Sequence, residues 1–524
     1  MPVPGHQQAE RLPTAQDRVA LAALHQRRTP VIDRLGTDAV QGFLEDTSNL
    51  KSGWSPGVFF PESCEEAAGL LRSAVADGRR YMVAGNGTGT TGGRIPFGDY
   101  IIAMHRLNHI GEVEQTDEDT AILRVQGGAL LQDVQAKAAA SGWHYPPDPT
   151  EKTCFIGSTI ANNSSGSRSF RYGPTRKHVR AIRIALPQGD LLEIERGRYL
   201  ADSEGRFSLE LPIAGQLSFM RPDYGMPSTS KHNAGYWSAP GMDLVDLFIG
   251  SEGTLGIILE AELQLRKAPE QVIACIVWFL TEDDLFAFID KARSGASGVA
   301  PRAIELFDRN ALEFLRQSYP EVPRNTAGAI YFEEETTREN EEGCLEAWMT
   351  LMEECNAPAD LTWAALDAVG LTRLRDFRHQ LPVQVNEWLR RQSETKVSTD
   401  MAVPDGQARQ LYELYRDACE AEGFTCIIFG HIGNAHLHLN ILPKNREEFD
   451  RAKRLYRKLV TEVIAMGGTL SAEHGIGKLK SEYLVLMYGE QGIREMVRVK
   501  KVFDPYLVLN IGNLIPTNFY EIET

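Results

Sequence analysis

Three of the chain's twelve histidines fall in one stretch, Gly430-His431-Ile432-Gly433-Asn434-Ala435-His436-Leu437-His438-Leu439-Asn440. From His436 onward polar residues alternate with leucine. A strand of period two puts His436, His438 and Asn440 on one face and Leu437 and Leu439 in the core. The Gly-Asn turn after His431 brings that imidazole back beside them. Neutral imidazoles and a carboxylate suit a divalent metal, zinc or manganese. The carboxylate is expected from Ser471-Ala472-Glu473-His474-Gly475, with Glu473 as ligand and His474 as a free base. The alternative is a set of hydrogen-bonded strand histidines. A His-x-His pair alone favours that alternative, whereas His431, His436, His438 and Glu473-His474 together favour the metal.

A second chemistry lies in Ala84-Gly85-Asn86-Gly87-Thr88-Gly89-Thr90-Thr91-Gly92-Gly93, after the strand-like run Tyr81-Met82-Val83-Ala84. Glycines allow close approach of a ligand to the backbone. Successive N–H groups form an anion nest, and threonine hydroxyls add donors. The loop reads as a phosphate cradle or as a glycine-rich turn. It lacks the Gly-Lys-Ser/Thr ending of a nucleotide P-loop, and Arg94-Ile95-Pro96 prevents the helix a Gly-x-Gly-x-x-Gly motif requires. A long polar stretch follows from Pro146-Pro147-Asp148-Pro149 through Gly157, Ala161-Asn162-Asn163 and Arg171-Tyr172-Gly173 to Arg176. Its backbone can be buried only if something polar, such as a large ligand, fills it; the alternative is a solvated loop, for which the stretch is long. Phe248 to Ile258 repeats the glycine-turn-then-strand pattern. Arg375, Arg378 and His379, with Arg390, Arg391 and Lys396, supply cations. Arginine forks suit a carboxylate substrate, although spacing alone favours a solvated helix face.

The elements that must position these groups are legible in outline. Strands are expected at Val58–Pro61, Tyr100–Met104, Ala121–Val125 and Val179–Leu186, and helices at Asp17–Arg27 and Leu130–Ala140. Ser63 and Glu66 have capping-box spacing before a helix whose apolar residues are Ala67, Leu70, Leu71 and Ala74. After Leu265 strands and helices alternate: Cys275–Phe279, Glu282–Ala292, Ala303–Phe307, Arg309–Arg316, Ala327–Phe332 and Glu339–Cys355. Helix Asp405–Glu422 and strand Thr425–Phe429 close this second, inserted domain. With 524 residues the chain has room for several domains. A net charge of −16 disfavours nucleic-acid binding. Seven cysteines without Cys-x-x-Cys spacing disfavour iron–sulfur clusters and zinc ribbons. No apolar run is long enough to span a bilayer, so the expected setting is cytoplasmic, or peripheral at the inner face of the membrane.

Taken in order, these motifs resemble the flavin-dependent D-2-hydroxyacid dehydrogenases of the vanillyl-alcohol-oxidase/PCMH-type superfamily, which act on D-lactate, glycolate or D-2-hydroxyglutarate. The resemblance runs from Gly57 to Leu514. It implies an α+β fold: an N-terminal extension (1–50), a PCMH-type FAD-binding domain (51–268), an α/β cap domain carrying the metal-binding strand (269–466), and a C-terminal segment returning to the FAD domain (467–524). It implies non-covalent FAD held by Gly85, Asn86, Gly87, Thr88, Gly89, Thr90, Gly92 and Gly93. Further contacts are implied for Pro147, Asp148, Gly157, Ala161, Asn162, Asn163, Tyr172, Gly173, Val179, Glu252, Gly253, Gly256, Ile257 and Asn510. His431, His438 and Glu473 match the metal ligands, His474 the base and Arg378 the substrate-carboxylate arginine, with Lys396 a looser match. The family pattern Gly-His-x-Gly-Asp-Gly-Asn-x-His is altered here to Asn434, Ala435 and His436 between the histidines, His436 replacing the asparagine. The implied reaction is hydride transfer from a small D-2-hydroxyacid to FAD, with D-lactate or glycolate favoured over D-2-hydroxyglutarate. The electron acceptor is a quinone, a cytochrome, an electron-transfer flavoprotein or an iron–sulfur partner, and a homodimer is one arrangement. Readings from other classes are an ether-lipid-synthase-like transferase and an FAD-binding subunit of a larger complex.

Overall fold

A computed structural model describes residues 33–35 and 37–521. The helix expected at Asp17–Arg27 lies outside the described residues.

The first sheet sets the cradle. Strands Gly57–Phe59, Tyr100–Ala103 and Tyr81–Ala84 run parallel, and Asp33–Leu35 adds an antiparallel edge. The crossover is the helix Cys64–Asp77, on which Ala67, Leu70, Leu71 and Ala74 are buried. Ser63 Oγ accepts the Glu66 amide at 3.1 Å. Glu66 Oε2 reaches the Glu62 amide at 2.8 Å, one residue upstream of the reciprocal partner in a capping box. Gly78, at φ +62°, ends the helix in the left-handed conformation. The cradle follows directly on Tyr81–Ala84.

The second sheet is antiparallel, in the order Ile110–Gln115, Thr120–Gln126, Ile257–Lys267, Val179–Ala185, Leu191–Glu195, with Trp143–His144 also paired to the central strand. The polar stretch before Arg176 is no single loop. It contains the short helices Ile156–Ala161 and Ser169–Tyr172, which satisfy much of its backbone internally.

From Gln271 the chain enters an eight-stranded sheet whose pairings are all antiparallel. Strand Gln271–Phe279 shows why it is covered on both sides. Ile273, Cys275 and Val277 pack on the face shared with the helices Glu282–Ser294 and Glu341–Glu354. Ala274, Ile276 and Trp278 pack on the opposite face with Leu374, Phe377 and Leu381 of the helix Ala368–Gln392. Alternating side chains need two apolar layers, and helices supply both. Asp367 starts the long helix by accepting the Gly370 amide at 2.7 Å. Strands Cys426–Gly430 and His436–Ile441 lie toward one edge of this sheet and carry the histidines.

The chain then returns to the first domain. Beyond the helix Ser481–Phe503, the Tyr81 amide donates to Val508 O at 2.7 Å and the Asn510 amide to Tyr81 O at 2.9 Å. Lys500, fully buried, is paired with Asp504 at 2.6 Å and donates to Thr254 O and Leu509 O, each at 2.7 Å. No helix among the described residues is long and apolar enough to cross a membrane.

Candidate functional site

The cradle forms part of the wall of a cavity. Gly85, Asn86, Gly87, Thr88, Gly89, Thr90 and Gly93 line it, opposed by Gly157, Ala161, Asn162, Glu252, Gly253, Gly256, Ile257 and Asn510. Several glycines are there because nothing larger fits. A Cβ on Gly85 would sit 2.2 Å from Ser158 Oγ, and one on Gly157 would lie 3.0 Å from Gly127 O. At Gly87, φ is +79° and a Cβ would meet the Arg94 guanidinium at 2.5 Å. Arg94 braces the loop from below, donating to Gly85 O at 3.1 Å and Gly42 O at 2.8 Å. It also lines the cavity, as do Thr91 of the cradle, Ser158 and Ser165 of the polar stretch, and Asp46, which lies outside every sequence motif. Asn510, itself left-handed at φ +49°, ties the two walls together. Its Oδ1 accepts the Val83 amide at 2.8 Å and its Nδ2 donates to Glu252 O at 2.9 Å. A cavity with a glycine-rich, amide-bearing wall fits the pyrophosphate of a dinucleotide such as FAD.

Seven expected contacts do not line this cavity. Gly92 turns toward Leu50, which a Cβ there would meet at 2.7 Å. Pro147 accepts Gln135 Nε2 at 2.9 Å. The Asp148 carboxylate takes the Arg168 amide at 3.2 Å and Ser167 Oγ at 3.3 Å. Asn163 is engaged with Asn233 at 2.9 Å and the Arg176 amide at 2.9 Å. The Tyr172 hydroxyl donates to Glu335, Gly173 ends the short helix Ser169–Tyr172, and Val179 opens a strand of the second sheet. These residues shape the segment behind the wall.

Where Glu473 and His474 line the cavity stands the imidazole cluster. A 3₁₀ turn, Ile432–Asn434, reverses the chain, and the His436 amide donates to His431 O at 3.2 Å. Ala435 closes the turn at φ +48°, a conformation costing a non-glycine residue about 1 kcal/mol. One candidate ligand atom each from His431, His436, His438 and Glu473 lie within 4.8 Å of one another. Glu473 Oε2 is 3.3 Å from His431 Nε2 and 3.9 Å from His436 Nδ1, and Oε1 is 3.8 Å from His438 Nε2. Around this set stand acceptors for the outer ring nitrogens. His431 Nδ1 meets Glu305 Oε1 at 2.6 Å and His438 Nδ1 meets Thr399 O at 3.2 Å. His436 Nε2 lies 3.1 Å from Asp400 Oδ1. Both nitrogens of His436, and both polar atoms of the Asn440 side chain, are buried without a good hydrogen bond. Buried orphans of this kind mark a missing partner, so the donor set fits a cation.

His474 differs from these imidazoles. Its side chain is 34% exposed and stacks on His438 with ring centroids 5.3 Å apart. Its amide, like that of Glu473, donates to Asp400. Asp400 also accepts Ser471 Oγ at 2.7 Å and pairs with Lys480 at 3.0 Å. Burial works against its charge, but His474 and Lys480 outweigh burial and hold the carboxyl well below the usual range. The same contest at Glu473 is won by Lys231 and His431. Lys231, completely buried, lies 3.1 Å from Glu473 Oε2. Burial pushes the His436 imidazole down to about 4 and His438 well below its ordinary value, which keeps both neutral with a lone pair to offer. Burial also pushes Glu252 up to about 7, although it accepts the Ile476 amide at 2.6 Å and that of Gly477 at 2.7 Å.

Arg378 stands behind the cluster. Its Nε pairs with Glu305 Oε2 at 3.0 Å, and Glu305 in turn holds His431. Arg375 of the same helix is exposed, so the two arginines do not act together. Lys396 forms no ion pair among the described residues, and burial lowers its ammonium pKa. Glu305, Asp400 and Lys231 were invisible as site residues because they reach the cluster from remote segments. The one available sign was Glu305, a carboxylate inside the apolar run of Ala303–Phe307.

Two family models match the chain: an FAD binding domain over residues 55–195 and the C-terminal domain of FAD linked oxidases over residues 268–514. A D-lactate dehydrogenase of Anaerostipes hadrus is 28% identical over 92% of this chain and 94% of its own length. The glycolate oxidase subunit GlcD of Bacillus subtilis is 26% identical over 87% of this chain and 88% of its own. A D-2-hydroxyglutarate dehydrogenase of Xanthomonas citri pv. viticola is 27% identical over 89% and 91%. Among solved structures, an alkyldihydroxyacetonephosphate synthase superposes with a TM-score of 0.64 at 16% identity, covering 96% of this chain and 86% of that one. The last likeness concerns the fold.

Proposed function

The chain belongs to the FAD-dependent D-2-hydroxyacid dehydrogenases of the vanillyl-alcohol-oxidase/PCMH-type superfamily, and on that footing we propose that it oxidises D-lactate or glycolate with the help of a divalent cation. One observation carries this reading: the imidazole–carboxylate cluster opens on the wall of the flavin cavity through Glu473 and His474. A substrate bound there touches both.

In this reading His431, His438 and Glu473 hold the cation, zinc or manganese. Held in the cavity, FAD would supply the acceptor for the C2 hydrogen and its electron pair, and the cation would supply Lewis acidity that lowers the pKa of the C2 hydroxyl. The chain's residues do the remaining work. The Gly85–Gly93 loop and Arg94 hold the pyrophosphate end. His474, the exposed imidazole, takes the hydroxyl proton on a ring nitrogen. Its main chain is pinned by Asp400, so the ring needs no large reorganisation. Arg378 spends its Nε on Glu305 and makes only a long 3.5 Å contact through Nη1 to Ser167, leaving N–H groups for the substrate carboxylate. Lys396 is the second cation assigned to that carboxylate. The electrons leave through an acceptor such as a quinone, a cytochrome, an electron-transfer flavoprotein or an iron–sulfur partner.

The test is turnover with an artificial electron acceptor across D-lactate, L-lactate, glycolate and D-2-hydroxyglutarate, with the 2-oxoacid product identified. Activity with D-lactate or glycolate, and little with L-lactate, is expected. Activity confined to D-2-hydroxyglutarate overturns the substrate assignment, and no activity with any of the acids overturns the proposal.

A further inference from the structure

We propose that His436 is itself a metal ligand, so that one cation is held by three imidazoles and one carboxylate. This rests on the reading above that the cluster holds a cation.

The first support is position. Ligands about 2.0–2.2 Å from a common ion lie roughly 3–4 Å from each other. His436 Nδ1 is 3.9 Å from Glu473 Oε2, comparable to the 3.8 Å between His438 Nε2 and Glu473 Oε1. The candidate ligand atoms of His431, His436, His438 and Glu473 form one group within 4.8 Å, with His436 as much a member as the others.

The second support is tautomer control. A metal-bound histidine gives its other N–H to a carboxylate or a carbonyl, which fixes the ring and turns the lone pair inward. His431 has Glu305 and His438 has the Thr399 carbonyl in that place. His436 has Asp400 beside Nε2 at 3.1 Å, which leaves Nδ1 as the inward atom. An acceptor thus stands on the outer side of all three rings around Glu473, hydrogen-bonded at His431 and His438 and 3.1 Å from His436 Nε2 without a well-aligned bond.

The third support is the orphan. His436 has no exposed surface, and its Nδ1 has no hydrogen bond. A purely structural histidine at such a depth would have that atom paired. The neighbouring cation, Lys231, contacts Glu473 rather than His436 and does not fill the place. A donor set richer in nitrogen than in oxygen selects zinc, cobalt or ferrous iron over magnesium, calcium or manganese.

The test uses the full chain with its flavin, stripped of metal and given one equivalent of Co²⁺. Each ligating imidazole with a protonated second nitrogen gives one exchangeable, paramagnetically shifted N–H resonance. Three such resonances are expected from the unaltered chain, one of which is lost in His436→Asn. Cobalt affinity, measured by chelator competition, should fall by about 10-fold or more in that variant. Two resonances in the unaltered chain overturn the proposal. So does a His436→Asn variant with unchanged affinity while His431→Asn binds weakly, a result that leaves the cation reading standing. Failure of the unaltered chain to take up cobalt overturns both. If His436→Asn does not fold, the resonance count on the unaltered chain decides.

Discussion

At the scale of single residues, the site separates holding from reacting. His431, His436 and His438 are buried, whereas His474 is partly open to the flavin cavity. The base should therefore be removable without disturbing the rest. His474→Gln should lose turnover by about 10²–10⁴-fold while the flavin absorbance per chain stays unchanged. Near-normal turnover in a flavin-replete variant would move the base elsewhere. Glu305 works one step further back, between Arg378 and His431. Burial alone would raise its carboxyl, but Arg378 and His431 keep it below the usual range and charged. That charge orients His431 and fixes Arg378.

At the scale of elements, glycine positions make the cradle what it is. Gly87→Ala would place a methyl group against Arg94 in a backbone conformation that alanine disfavours. Its expected effect is a loss of FAD from the purified chain, read as a lower flavin-to-protein absorbance ratio, with a native-like circular dichroism spectrum. The same loop was legible in outline, because nine residues of glycine, threonine and asparagine after an apolar strand read as a phosphate cradle or as a glycine-rich turn. The alternation from His436 to Asn440 was legible for a similar reason: a period of two is written directly into residue types. The capping of Cys64–Asp77 was legible at Ser63, but the partner of Glu66 was not, since it depends on the path of the chain at Glu62. The segment from Pro146 to Arg176 reads as polar, either ligand-filled or a solvated loop. In the fold, Asp148, Asn163 and Tyr172 do not line the cavity and are bonded instead to Ser167, Asn233 and Glu335. Spacing does not reveal which side of a wall a residue faces. The contacts that complete the cluster, from Glu305, Asp400 and Lys231, join segments remote in sequence and have no local signature.

At the scale of the whole molecule, the two domains are joined by buried charge. Arg168, from the polar segment of the first domain, pairs at 3.0 Å with Glu333 of the eight-stranded sheet, which also holds Arg302 at 2.7 Å. Burial works against the Glu333 charge, but Arg168 and Arg302 outweigh it and hold its carboxyl below its ordinary value of 4.5. A depressed carboxyl stabilises the folded state above the unfolded pKa, and that stability is lost as pH falls through the acid range. Glu333→Gln should thus destabilise the chain at pH 7, by about 3–5 kcal/mol, and by progressively less as the pH falls below about 4.5. Urea unfolding of both chains across that range measures the difference, and a pH-independent difference would contradict the account. This joint brings the histidine-bearing sheet to the flavin cavity, and the central claim is that chemistry passes between them. Its most direct test is anaerobic mixing of the flavin-loaded chain with D-lactate or glycolate, with and without prior chelation. The account predicts that the oxidised flavin band bleaches, that chelation abolishes the bleaching and that a divalent metal restores it. A flavin that stays oxidised with both acids, or bleaches equally well after the metal has been removed, would contradict it.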